Sequence, residues 1–117
     1  MDGSGRAEDG IDKGFLAAIR AGGGEGLLFA ETKLKGAFVL DIEPREDHRG
    51  FFSRTFCQRE FESHGLNPHV VQCNIAYNKK KGTLRGMHFQ NAPYAEAKLV
   101  RCTEGAIYDV ILDLRPS

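Results

Sequence analysis

Residues 97–114, AKLVRCTEGAIYDVILDL, decide the fold class because they contain two β-rich runs in succession. The first run covers residues 97–102, the second covers residues 106–114, and the turn Thr103-Glu104-Gly105 joins them. Short apolar runs that contain β-branched and aromatic residues and are separated by a glycine turn are typical of strands. The sequence therefore predicts two consecutive strands here.

The same pattern continues towards the N-terminus, where glycine and proline separate further short runs. Four more strands are predicted, at residues 37–42, 51–56, 70–77 and 83–90. Between them, residues 58–64 have the composition of a short helix, and Gly65 is placed as the residue that ends it. Short strands at regular spacing with glycine and proline turns predict an all-β sandwich or barrel.

Residues 1–26 differ from the rest of the chain in being rich in glycine. We expect a disordered or loosely docked, flexible N-terminal tail here, followed by a single domain over residues 27–117. The spacing of Phe15, Leu16 and Ile19 is compatible with a short helix over residues 11–20. Such a helix is too short and isolated to be stable alone.

Composition excludes several classes of function. The chain has 117 residues, with 16 Lys and Arg against 16 Asp and Glu, so general affinity for nucleic acids or membranes is not expected. No apolar run approaches the ~20 residues of a membrane span. The N-terminus lacks the basic start and apolar core of a signal peptide, so we expect a cytoplasmic protein. The three cysteines form no CxxC pair, which argues against a disulfide framework or a zinc knuckle.

Polar residues within the predicted strands are the candidates for chemistry, and each has two interpretations. Gln72 and Asn74 share one face of a strand, where they form either an exposed polar face or a buried pair that needs partners. His88 is either a structural histidine or a general base near Arg85. Lys98 either faces solvent or points into the interior, where it needs an anion.

Two further features have simpler interpretations. The run Lys79 to Lys81 is interpreted as a solvated turn rather than a phosphate site. The tripeptide His88-Phe89-Gln90 lacks the second histidine of an HxH metal-binding pair. We therefore expect no bound metal.

Four segments together resemble the N-terminal half of the dTDP-4-dehydrorhamnose 3,5-epimerase family. They are DHRGFF at residues 47–52, QCN at 72–74, GTLRGMHFQ at 82–90 and AKLVRCTEGAIYDVILDLR at 97–115. The resemblance implies an RmlC-like cupin jelly roll that works as a homodimer in rhamnose-type deoxysugar biosynthesis. The implied substrate is a dTDP-linked 4-keto-6-deoxy sugar, and the implied chemistry needs no cofactor.

The resemblance also implies a role for each matching residue. His88 matches the general base, and Lys98 matches the cation that stabilises the enolate oxygen, so we expect both beside a dry pocket. Arg85 matches a contact to the diphosphate and the sugar. Arg49, Gln72 and Asn74 match positions that bind the nucleotide sugar.

The chain departs from the family pattern at two points. Arg54 stands where many members have a glutamate that helps to bind the substrate. The general-acid tyrosine and the carboxylate that orients the base lie beyond a DLRPS-like segment in the family, so we expect a truncated cupin. Whether this chain is itself an enzyme is therefore left open. The alternative is a catalytically incomplete cupin fragment that only binds a nucleotide sugar or a partner chain.

Overall fold

The structure, a computed structural model, describes residues 16–21 and 26–116. Its elements within these residues are six strands and one short helix. The strands are β1 (Leu16–Ala21), β2 (Leu27–Glu31), β3 (Phe38–Ile42), β4 (Arg45–Asp47), β5 (Gly50–Phe52) and β6 (Lys98–Val100), and the helix α1 is Gln58–Ser63. The predicted all-β class is confirmed, as expected for a cupin.

Four strands form the main sheet in the order β2-β3-β1-β6. β2 and β3 pair antiparallel, whereas β1 pairs parallel with both β3 and β6. Residues 32–37 close the β2–β3 turn: the Thr32 N–H donates to the carbonyl of Ala37, and the Ala37 N–H donates to that of Leu34, each at 3.0 Å. β4 and β5 form a separate two-stranded ribbon.

The core lies between the β2–β3 hairpin and α1. Its buried members are Leu27, Phe38, Leu40, Phe61 and Leu66, with Phe29 and Ile42 packed against them. Phe38 and Leu40 are buried while Val39 between them is half-buried, which is the alternation expected of a strand with one covered face. Phe61 of α1 faces the ring of Phe29 edge-on, with the ring centroids 5.5 Å apart.

The predicted strands differ in how well they match the structure. Residues 37–42 correspond to β3, residues 97–102 contain β6, and only the start of residues 51–56 falls in β5. The strands predicted at residues 70–77, 83–90 and 106–114 are wrong for this structure, because these segments have no strand partner among the described residues. A strand requires backbone hydrogen bonds to a neighbour, which local sequence does not supply.

The prediction for the helix and the prediction for the N-terminal segment compare differently with the structure. The helix predicted at residues 58–64 is confirmed as α1, and Gly65 follows it with a φ of +70°. Residues 16–21 form β1, where the end of a short helix had been considered. The rest of the expected tail, residues 1–15 and 22–25, lies outside the described residues, so the division of the chain at residue 26 stays a prediction. No helix in the described part has the length and apolarity to cross a bilayer.

Glu60 connects α1 to the start of β2. Its Oε1 accepts the N–H of Leu27 at 3.0 Å, and its Oε2 pairs with Nη1 of Arg54 at 3.2 Å. Gly26 allows this approach, because a Cβ at that position would lie 2.6 Å from Oε1 of Glu60. Burial raises the pKa of Glu60. Hydrogen bonds from the Leu27 amide and the Cys57 side chain, together with Arg54, lower it by a larger amount, so the net pKa lies below its usual 4.5.

Glu60→Gln is expected to reduce the free energy of unfolding by about 1–2 kcal/mol at neutral pH, as for a hydrogen bond to a charged group. Because the pKa of Glu60 is lower in the folded chain, its contribution is complete above the unfolded-state pKa. It is lost as the pH falls through the folded-state pKa. Urea unfolding between pH 7 and pH 3 measures this. Glu62→Gln, on the same helix, is the control, and an equal pH dependence in both variants would contradict the assignment.

Candidate functional site

His88 lies at an open groove that is otherwise apolar. The groove has a volume of about 350 Å³ and lies between residues 87–89 and residues 110–114. Its other lining residues are Met87, Phe89, Val110, Ile111, Leu112 and Leu114. The segment that contains His88 turns at Gly86, whose φ of +110° is one that residues with a side chain rarely adopt. The groove therefore combines one imidazole with a wall of hydrocarbon.

Lys98 begins β6, the edge strand of the main sheet. It lies opposite Leu16 of β1 in the sheet register. Its Nζ pairs with Oε1 of Glu96 at 2.9 Å, and 49% of its side chain is exposed. Of the two interpretations of Lys98, the structure therefore agrees with the one in which its side chain faces solvent.

The enclosed pocket expected between His88 and Lys98 is not formed by the described residues. Both side chains are exposed, and no hydrogen bond or ion pair joins either one to the other within residues 26–116. The physical reason is that the segments 83–90 and 106–114 have no strands packed over them in the described part of the chain. The catalytic roles of His88 and Lys98 therefore stay predictions.

Arg85 is held by two neutral oxygens. Its Nε donates to Oδ1 of Asn78 at 2.6 Å, and its Nη2 donates to the carbonyl of Tyr77 at 3.2 Å. Both contacts lie at the start of the turn that carries Lys79 to Lys81. The sequence indicated Arg85 but not Asn78, because an asparagine before a turn is a common turn residue and carries no separate signal.

Gln72 and Asn74 lie on the same side of an extended segment, as the sequence predicted. Nδ2 of Asn74 donates to Oε1 of Gln72 at 3.3 Å, and both side chains are exposed. The structure therefore has the exposed polar face, which was one of the two interpretations. The pair presents an amide edge to solvent.

Arg49 closes the turn between β4 and β5. Its Nη2 lies 2.5 Å from Oδ2 of Asp47, and its backbone N–H donates to Oδ1 at 2.7 Å. These hydrogen bonds lower the pKa of Asp47 below its usual value and raise that of Arg49. Arg54, at the position that departs from the family pattern, pairs with Glu60 instead.

A second Asp-x-Arg unit repeats the Asp47–Arg49 geometry and was missed in the sequence. The Arg115 N–H donates to Oδ1 of Asp113 at 3.0 Å, and Nη2 of Arg115 reaches the carbonyl of Lys35 at 2.7 Å. The Arg115 hydrogen bonds hold the pKa of Asp113 at about 2. This unit fastens the end of segment 106–116 to the β2–β3 turn. The spacing Asp-x-Arg, present twice, was the available signal.

Potential metal ligands do not gather in the described part of the chain, where no group of three or more His, Cys, Asp or Glu side chains is placed to hold an ion. The three cysteines there, Cys57, Cys73 and Cys102, are free thiols.

Comparison with known proteins gives one consistent result. The family model described as dTDP-4-dehydrorhamnose 3,5-epimerase matches residues 31–117, a range that includes every candidate site residue. No solved structure gives a significant match.

Curated proteins that carry this name include those of three organisms. The protein of Escherichia coli is 49% identical over 82 residues, covering 68% of this chain and 44% of the relative. That of Sinorhizobium fredii is 42% identical over 93 residues, covering 78% and 44%. That of Methanothermobacter thermautotrophicus is 41% identical over 87 residues, covering 74% and 46%. The chain thus spans less than half the length of these relatives.

Proposed function

Because the chain belongs to the dTDP-4-dehydrorhamnose 3,5-epimerase family, we propose that it epimerises a dTDP-linked 4-keto-6-deoxy sugar in rhamnose-type deoxysugar biosynthesis. The observation that carries the proposal is the match over residues 31–117, which includes the GTLRGMHFQ segment and Lys98. The groove at His88 supports it, because hydrocarbon beside an imidazole suits a base that acts on a C–H bond.

The proposed reaction begins at a carbon next to the C4 ketone. A ring nitrogen of His88 takes the proton, the C–H electron pair forms a C=C bond, and the carbonyl electrons move to O4. An imidazole suits this step because its pKa lies near neutral pH. A proton from solvent then adds to the opposite face of the same carbon and restores the ketone with inverted configuration, while His88 releases the abstracted proton to solvent. The ketone is the electron sink, so the reaction requires neither an organic cofactor nor a metal.

Lys98 stabilises the negative charge that develops on O4. An ammonium group that donates to an enolate oxygen acts as an oxyanion-hole donor does. In the free chain this ammonium pairs with Glu96, and both side chains are about half exposed. Because such exposed pairs contribute only about 0–1 kcal/mol, the exchange of Glu96 for a substrate oxygen costs little.

We also propose that the working form is a cytoplasmic homodimer. Large apolar side chains are exposed throughout residues 70–114, among them Val71, Ile75, Leu84 and Tyr108. Segments of this kind are stabilised when another protein surface covers their apolar side chains and forms hydrogen bonds with their backbone. Sedimentation velocity over a range of chain concentrations tests this proposal. A chain that stays monomeric at about 100 μM, well above typical dissociation constants of obligate dimers, would contradict it.

The activity is tested in deuterated water. The pure chain is incubated with dTDP-4-keto-6-deoxyglucose, and the C3 and C5 proton signals are followed by NMR. Proton abstraction by the chain predicts that solvent deuterium replaces the hydrogen at one or both carbons. Binding of the sugar without any exchange would contradict the epimerase and leave a chain that only binds a nucleotide sugar.

Lys98→Met is expected to lower the rate of deuterium incorporation by about 100- to 1,000-fold, the usual loss when an oxyanion donor is removed. Methionine keeps the approximate length of the side chain and removes the ammonium. Lys80→Met is the matched control, because Lys80 is an exposed lysine of the turn at residues 79–82. Equal rates in the two variants would contradict the assigned role of Lys98.

A further inference from the structure

We propose that Asn78 is a positioning residue that turns the guanidinium of Arg85 so that its outer edge faces a diphosphate. The inference rests on the proposed function, since it concerns how the same substrate is held. Nothing in the sequence pattern singled out Asn78, and its contact with Arg85 carries the argument. The ligand class is an inorganic or nucleotide diphosphate.

The hydrogen bonds of Arg85 occupy one edge of its guanidinium. Nε donates to Oδ1 of Asn78 at 2.6 Å, and Nη2 donates to the carbonyl of Tyr77 at 3.2 Å. A guanidinium carries five N–H donors, so the three on the Nη1 and outer Nη2 edge remain available. Two parallel N–H groups on that edge match the spacing of two phosphate oxygens.

The charge of Arg85 is not neutralised by its partners. Arg49, Arg54 and Arg115 each form an ion pair with a carboxylate. Arg85 instead contacts an amide and a carbonyl, and no carboxylate in the described part of the chain forms an ion pair with it. A neutral anchor fixes the orientation of the cation and leaves its full charge for an anion.

The anchor itself is fixed by the turn that follows it. Oγ1 of Thr83 donates to the carbonyl of Lys80 at 2.7 Å, and Gly82 has a φ of +76°, which closes the turn without any contribution from Asn78. An exposed arginine loses side-chain entropy when it binds a ligand, and prior anchoring reduces that loss.

The test uses the full chain labelled with 15N-arginine, and the Arg85 Nε–H signal is identified by its loss in Arg85→Lys. In the wild-type chain this proton is expected to exchange with water several-fold more slowly than that of Arg101, which is exposed and forms no such contact with the described residues. Asn78→Ala is expected to remove this protection. Asn91→Ala is the matched control, because Asn91 is exposed and uses only its backbone carbonyl, which accepts the N–H of Tyr94.

Pyrophosphate at constant ionic strength is the second probe. Asn78→Ala is expected to weaken pyrophosphate binding about three- to tenfold, as for the loss of one hydrogen bond. Asn78→Asp keeps the oxygen that accepts from Nε but adds a negative charge. It is therefore expected to retain the slow Nε–H exchange and still bind pyrophosphate more weakly. A residue that only braced the turn would leave both the Arg85 Nε–H exchange and the pyrophosphate affinity of the Asn78→Ala chain unchanged.

Two results would overturn the proposal. One is an Arg85 Nε–H exchange rate that Asn78→Ala does not alter. The other is a pyrophosphate affinity that is the same in the wild-type, Ala and Asp chains. Neither result depends on epimerisation, which is judged by deuterium at C3 and C5. Failure of the positioning role and failure of the proposed function are therefore distinguished by different measurements.

Discussion

His88→Ala is expected to lower the rate of deuterium incorporation at C3 and C5 of the 4-keto sugar by about 100- to 10,000-fold, the usual contribution of a general base. In the proposed reaction the proton leaves a carbon acid whose anion is stabilised by the ketone and by Lys98, so a base in contact with the C–H bond is essential. The groove of Met87, Phe89 and the 110–114 segment supplies a hydrocarbon wall but no other titratable group beside His88. Alanine therefore leaves nothing there to accept the proton.

The matched control for His88→Ala is His69→Ala. His69 is exposed, and its backbone N–H, not its ring, donates to Oδ1 of Asn67. Both variants remove one exposed imidazole, so a general effect on charge or solubility appears in both. An exchange rate in His88→Ala within a factor of about three of the His69→Ala rate would exclude His88 as the base, because a lost base costs about 100-fold or more.

Phe61→Ala is expected to destabilise the chain by about 3–5 kcal/mol, the usual cost of removing a buried phenyl ring. Phe61 is 1% exposed and joins α1 to the β2–β3 hairpin. Its ring centroid lies 5.5 Å from that of Phe29 and 4.8 Å from that of Phe56, so alanine leaves a cavity bordered by two aromatic rings. Urea unfolding, followed by circular dichroism, measures the loss.

Phe52→Ala is the control for the Phe61 substitution. Phe52 lies on β5 and is 78% exposed, so its removal is expected to change the free energy of unfolding by no more than about 0.5 kcal/mol. If Phe61→Ala also reduced the free energy of unfolding by less than about 1 kcal/mol, far below the usual cost of an aromatic cavity, the result would contradict the packing of α1 on the hairpin.

Local patterns predicted the parts of the fold that local interactions stabilise. The helix predicted at residues 58–64, from its composition and from Gly65, and the strand predicted at residues 37–42 correspond to α1 and β3. Both elements bury their apolar face against each other, so pattern and packing agree. Residues 70–77 and 106–114 have equally strong strand patterns but no pairing partner in the described part. A strand propensity specifies a conformation, whereas a sheet also requires a neighbour.

The sequence indicated which residues belong to the candidate site, but not which contacts their side chains make. The alternation that placed Gln72 and Asn74 on one face is a property of any extended chain, and the two amides do contact each other. The Asn78–Arg85 and Arg115–Lys35 contacts join residues 7 and 80 positions apart, and no local periodicity relates such positions. Whether His88 and Lys98 are buried or exposed depends on what packs over them, so their exposure did not follow from their own strand patterns.

The most direct test is a crystal structure of the chain with dTDP-4-keto-6-deoxyglucose bound. Our account predicts a ring nitrogen of His88 about 3–3.5 Å from C3 or C5, the distance of a reactive approach. It also predicts Nζ of Lys98 within about 3 Å of O4, a hydrogen-bond distance. A sugar bound away from both residues, with His88 and Lys98 still exposed to water, would contradict this prediction.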